Sequence, residues 1–84
     1  MNPSQNKKII IYSTPTCHFC AMAKQYLTEK NFQFENFDVA SDVEKRKEMM
    51  DKSGQLGVPV IDIDGQIIIG FNRPKINAAL GITG

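Results

Sequence analysis

The 84-residue chain has two cysteines, three residues apart in Cys17-His18-Phe19-Cys20. Thiols at this spacing do one of two kinds of chemistry, cycling between dithiol and disulfide or supplying half of a metal site. Their surroundings favour the first. The apolar run Ile9-Ile10-Ile11-Tyr12 ahead of them reads as a buried strand, and Ala21-Met22-Ala23-Lys24-Gln25-Tyr26-Leu27 behind them is rich in helix formers. The pair therefore sits where a strand ends and a helix begins. Residues three apart on a first helical turn share a face and are close enough to bridge, while the unpaired N–H groups and positive dipole end favour negative charge on the first sulfur. Cys17 is the expected nucleophile and Cys20 the resolving thiol. His18 either favours the Cys17 thiolate when protonated or is an exposed histidine without a catalytic duty. Phe19 either lines a substrate groove or only covers the helix start.

Length and composition narrow the partners. One small domain is expected over residues 7–84, with the polar segment 1–6 a disordered tail that has nothing to bury. A net charge of +1 with scattered Lys and Arg gives no footprint for nucleic acid. No apolar run approaches the roughly 18 to 20 residues of a membrane span, and the N-terminal segment lacks the apolar core of a signal peptide. A cytoplasmic location is expected, where a CxxC pair is seldom a structural staple. Zinc ordinarily takes four ligands, and this motif offers Cys17, Cys20 and at most His18, so a metal would need a dimer. Haem attachment needs a His after the second Cys, and Ala21 stands there.

Around the motif, Lys7 to Ser13 reads as a strand buried on both faces, hence central. A helix is predicted from about Cys17 to Lys30, with Phe19, Met22, Ala23, Tyr26 and Leu27 as its apolar stripe. A second strand is predicted over 32–39, where Phe32 and Phe34 alternate and Phe37 falls on the opposite phase, so both faces or a bulge are involved. Strand, helix, strand implies a right-handed parallel crossover. Ser41-Asp42-Val43-Glu44 has the form of a capping box, which starts a second helix at Ser41 that ends at Gly54, its charged face solvated. Val58 to Ile63, the turn Asp64-Gly65 and Gln66 to Ile69 form a hairpin, with Pro59 at a strand entry where a cis bond is compatible. Asn72-Arg73-Pro74 caps a last helix through Ile76, Ala79 and Leu80. Tyr12, Tyr26 and the remaining phenylalanines read as core, and Asp38, Asp62 and Asp64 as singletons without an acid-catalytic pairing. The order is βαβαββα.

Three segments together resemble the glutaredoxins of the thioredoxin-fold superfamily, over about residues 7 to 82. Thr16-Cys17-His18-Phe19-Cys20 is similar to the family's T-C-P-Y-C, Gly57-Val58-Pro59 to its T-V-P with a cis-proline, and Ile69-Gly70-Phe71-Asn72 to its G-G-x-D. The segment from Lys52 to Phe71 resembles a bacterial subgroup of glutaredoxin-like proteins. The resemblance implies an α/β thioredoxin fold, a four-stranded mixed sheet flanked by three helices. It implies a dithiol oxidoreductase that reduces protein disulfides or glutathione mixed disulfides, with no tightly bound cofactor and glutathione as co-substrate. Thr14, His18, Phe19, Gly57, Val58, Pro59, Gly70, Phe71 and Asn72 would then form the substrate and glutathione groove. Disulfide-containing proteins are the implied partners, with glutathione or thioredoxin reductase as reductant. The departures are Thr14 where the family commonly has Lys, Gly57 for Thr, Ile69 for the first glycine and Asn72 for Asp. A charge-assisted hydrogen bond is worth roughly 1.5 to 3 kcal/mol, so without the cation and the anion weak glutathione binding is expected. The alternative of another class is a dimeric iron–sulfur or zinc carrier using the same cysteines.

Overall fold

The computed structural model describes residues 7–82, and the tail expected at 1–6 lies outside them. The elements are β1 (Ile9–Ser13), α1 (His18–Glu29), β2 (Glu35–Asp38), α2 (Val43–Ser53), β3 (Val60–Ile63), β4 (Gln66–Ile69) and α3 (Arg73–Leu80). They form one mixed sheet in the order β2-β1-β3-β4, with β1 parallel to β2 and the other two pairings antiparallel. This is the thioredoxin fold that the resemblance implied.

The triple isoleucine of β1 explains its central place. Ile9 and Ile11 point, with Ile61 of β3, into a core shared with α1 and α3 through Leu27, Ile76 and Leu80, whereas Ile10 and Tyr12 point to the other face with Val39, Met49 and Val60. Phe37, out of phase in the sequence, packs on that second face, while Phe32 and Phe34 reach the first from ahead of the strand, and the register of β2 runs without a bulge. The strand is shorter than predicted, however. Phe32 and Phe34 precede it: Asn31 takes φ 66° and the Phe32 N–H closes on the Leu27 carbonyl at 2.9 Å, which spends these residues on leaving the helix.

At the head of α2 the expected Ser41 cap is not the one used. Asp42 is the N-cap, its Oδ1 accepting from the Lys45 N–H at 3.1 Å, while the Ser41 hydroxyl donates to the Asp38 carbonyl. Two adjacent residues were both competent caps, and a carboxylate is favoured at the positive end of a helix. Gly54 ends α2 in the left-handed conformation, as predicted. The charged face of α2 is not merely solvated. Lys52 reaches the sheet, 2.7 Å from Asp62 Oδ2 and 2.8 Å from the Tyr12 hydroxyl, and that hydroxyl donates to Glu48. Asp62 is buried, so it is not a singleton.

Candidate active site

Topology gathers the candidate residues at one end of the sheet. Tyr12 in β1 pairs with Val60 in β3, which pairs with Ile69 in β4, and both pairings are antiparallel. The end of β1, the start of β3 and the end of β4 are therefore neighbours. The segments that continue from them are Thr14-Cys20, Gly57-Pro59 and Gly70-Asn72. A direct bond joins two of these, from the Gly70 N–H to the Pro59 carbonyl at 2.8 Å.

The chain leaves β1 through Thr14-Pro15-Thr16, closed by the Cys17 N–H on the Thr14 carbonyl at 3.3 Å. Cys17 is then the N-cap of α1. Its backbone is extended, its carbonyl accepts from Ala21 at 3.2 Å, and its Sγ accepts from the Cys20 N–H at 3.1 Å. The sulfur occupies the place that a serine or aspartate oxygen usually takes at a helix start. Both cysteines are free thiols, but their settings differ: Cys17 is half-buried, whereas Cys20 is wholly buried. Burial, then hydrogen bonding with Cys17, pushes the Cys20 thiol up to about 11, against a smaller opposing pull from the Thr14 backbone and the Lys24 charge. Cys20 thus stays protonated near neutrality, and Cys17 is the more accessible of the two.

His18 and Phe19 are exposed and touch edge to face, with ring centroids 5.8 Å apart. Phe19 is 57% exposed, which corrects its place in the predicted apolar stripe and its reading as a cover for the helix start. The buried stripe of the helix is Cys20, Ala23, Tyr26 and Leu27.

The Val58–Pro59 bond is cis, as expected. Pro59 is buried and Val58 half-buried, and among the described residues no backbone hydrogen bond engages the Val58 N–H or carbonyl. Phe71 packs edge to face on Tyr26, with centroids 5.9 Å apart. Asn72 caps α3, its Oδ1 accepting from Lys75 at 3.2 Å. Sequence reasoning missed Gln55, whose side-chain amide holds both backbone groups of Gly57, and Lys24, whose charge reaches Cys20. A glutamine two residues before a glycine carries no chemical signal, and Lys24 was visible only as a helix former one turn beyond Cys20.

Among the described residues no group of three or more His, Cys, Asp or Glu side chains is placed to hold a metal ion, and no helix is long and apolar enough to cross a membrane. Residues 9–68 match the family model for glutaredoxin. The chain is 54% identical over 69 residues to an uncharacterized glutaredoxin-like 8.6 kDa protein in the rubredoxin operon of Clostridium pasteurianum, across 82% of this chain and 92% of that one. It is 40% identical over 60 residues to glutaredoxin 3 of Escherichia coli K12, across 71% and 72% of the two chains. The crystal structure of the glutaredoxin from Methanosarcina mazei Go1 superposes with a TM-score of 0.81 at 26% identity, covering 89% of this chain and 79% of that one. With a capping thiol, a buried partner and a cis-proline loop at one end of a thioredoxin-fold sheet, and with these likenesses, the chain belongs to the glutaredoxin family.

Proposed function

We propose that the protein is a dithiol thiol-disulfide oxidoreductase that reduces disulfides in proteins, with Cys17 as nucleophile and Cys20 as resolving thiol. The observation that carries this reading is the asymmetry of the pair, a half-buried sulfur at a helix start backed by a wholly buried thiol. In the first step the Cys17 thiolate attacks one sulfur of the substrate disulfide. A Cys17–substrate bond forms, the substrate S–S bond breaks, and one substrate thiolate leaves and takes a proton from water. Cys20 then gives up its proton and attacks Cys17 Sγ, releasing the second substrate thiol and leaving a Cys17–Cys20 disulfide. The substrate has gained two electrons, and an external reductant supplies two more, with two protons, to restore the Cys17 and Cys20 thiols.

Glutathione is a co-substrate held weakly in this reading. Thr14 offers no cation to a carboxylate, and the Asn72 carbonyl oxygen is already committed to the α3 cap. Thioredoxin reductase is then the stronger candidate for reductant, a choice read by supplying each electron source in turn. The groove would be formed by Thr14, His18, Phe19, Gly57, Val58, Pro59, Gly70, Phe71 and Asn72.

The test is exchange of the two sulfurs one at a time. Cys17→Ser should abolish reduction of a protein disulfide, while Cys20→Ser should accumulate a covalent protein–substrate adduct visible by non-reducing electrophoresis and released by dithiothreitol. Undiminished reduction by Cys17→Ser would end the mechanism. Iron or zinc in anaerobically purified protein, lost in Cys17→Ser, would replace it with the carrier reading.

A further inference from the structure

The segment between α2 and β3 is held by one side chain. Gln55 Oε1 accepts from the Gly57 N–H at 2.7 Å, and Gln55 Nε2 donates to the Gly57 carbonyl at 3.0 Å. One amide thus satisfies the donor and the acceptor of a residue two positions on, outside any strand. The clamp is anchored at its other end too. The Ser53 hydroxyl lies 2.7 Å from the Met49 carbonyl and 2.9 Å from the Gln55 carbonyl, its single O–H shared between them, which ties the base of the segment to the last turn of α2. Leu56, at the tip, is left 57% exposed.

Val58 is the next residue along the chain, and its backbone N–H and carbonyl make no hydrogen bond among the described residues, at the end of the sheet that also carries Cys17. An extended peptide that paired with those groups would add a short strand beside the reactive sulfur. Such pairing is tight only if the receiving backbone is already in place, because ordering a loop on binding subtracts from affinity. Gly57 cannot supply that order itself, since glycine is the most permissive residue in the chain and no strand partner holds it. The order comes from the Gln55 amide.

We propose that Gln55 is a positioning residue that presets the Val58 backbone for an extended peptide carrying the disulfide. This rests on the oxidoreductase reading above and names the substrate form that it favours: a segment that pairs through its main chain rather than a small thiol held by its charges. Gly57 is part of the same device. A Cβ built there would stand 2.6 Å from Gln55 Oε1 and 3.6 Å from its Cδ, with only that flexible side chain in the way. A side chain at position 57 would therefore expel the clamp without disturbing the backbone.

The experiment measures two substrates with dithiothreitol as reductant: bis(2-hydroxyethyl) disulfide, which has no peptide backbone to pair with Val58, and a peptide disulfide with several residues on each side of its cysteine. Gln55→Met keeps the volume and removes both hydrogen bonds. It should raise KM for the peptide about five- to tenfold, the worth of one ordinary hydrogen bond, with kcat and the rate on the small disulfide unchanged. Gln55→Ala, which removes the amide altogether, should raise the peptide KM by a similar factor and serves as the second route should Gln55→Met fail to fold. A peptide KM within twofold of wild type in either folded variant overturns the proposal, as does an equal loss on both substrates, which would mark a purely structural role. Wild-type protein inactive on both disulfides would instead overturn the oxidoreductase reading, and this one with it.

Discussion

The two faces of the sheet are held by different means. Toward α1 and α3, twelve buried residues from Ile9 to Leu80 form an apolar core, with Phe34, Phe71 and Ile82 packed at its margin. Toward α2 the buried set is five residues, Ile10, Tyr12, Val39, Met49 and Val60. There the helix is secured by a polar cluster as well: Lys52 bonds to Asp62 and Tyr12, Tyr12 bonds to Glu48, and Lys45 lies 4.2 Å from the Phe37 ring centroid. The reason lies in composition. Helix α2, Val43–Ser53, offers only Val43, Met49 and Met50 as large apolar residues, and of these Val43 is 65% and Met50 48% exposed, so one methionine is all it buries. Its long cations cover sheet surface with their stems and find partners for their heads. A helix too polar to bury a stripe can still be fixed, provided that the sheet offers it a buried acid and a phenol.

Three measurements can break or sharpen this contrast. The largest effect is expected on the apolar face, where Leu27→Ala leaves a cavity among fully buried neighbours and should cost about 2 to 5 kcal/mol in denaturant unfolding. A loss below roughly 1 kcal/mol would mean that this face is not the principal store of stability. The next is on the polar face. Asp62→Ala strips Lys52 of its nearest anion and leaves the Gly65 N–H, which Asp62 also receives at 2.8 Å, without that acceptor. A loss of about 1 to 3 kcal/mol is expected, and a neutral result would make the cluster decorative.

The smallest effect is the dependence on pH, and its sign differs by group. For Lys52, burial alone would lower the pKa, but the hydrogen bonds that it donates to Asp62 and Tyr12 outweigh it and raise the value. Burial, then the hydrogen bond with Glu48, raises Tyr12. Both groups hold their protons more firmly in the folded state, so their contribution is complete below the ordinary lysine and tyrosine values of about 10 and is lost as the pH climbs beyond them. Glu48 runs the other way. Its bond from Tyr12 lowers its pKa, so its contribution is present above the ordinary glutamate value of about 4 and fades as acid is added. On the other face Cys20 supplies a separate alkaline loss, starting near the ordinary thiol value of about 8.5 and complete past about 11. Stability measured from pH 7 to 11 should therefore fall in wild type earlier than in Cys20→Ala. Coincident profiles would show that the buried thiol is not part of the balance.

Much of this was legible because it is local. The three isoleucines of β1 announced two buried faces, Asp64-Gly65 announced the hairpin through the positive φ angles that both residues adopt, and Gly54 announced the end of α2. The cysteine pair was legible for the same reason, since a strand-to-helix switch lies in its own flanks. What escaped depends on contacts across the chain or on competition between neighbours. Lys52 and Asp62 are ten residues apart on different elements, and nothing in either type says that one will pass beneath the helix to meet the other. Ser41 and Asp42 could each cap, and the structure uses the carboxylate, with the Ser41 hydroxyl turned back to the Asp38 carbonyl. Gln55 is the clearest case: its amide reads as an ordinary polar side chain until the fold shows it closing a ring on Gly57.

The sulfur that caps α1 gives the molecule an internal gauge. Because the Cys20 N–H donates to Cys17 Sγ, the chemical state of that atom is written into the first hydrogen bond of the helix. A thiolate is the strongest acceptor the amide can meet there, a thiol a weaker one, and a sulfur joined to a substrate weaker again. The backbone amide of Cys20 would therefore sense each stage of the proposed cycle, and a single cross-peak in a nitrogen–proton spectrum would follow Cys17 through charging, capture and release with no label attached to the sulfur itself.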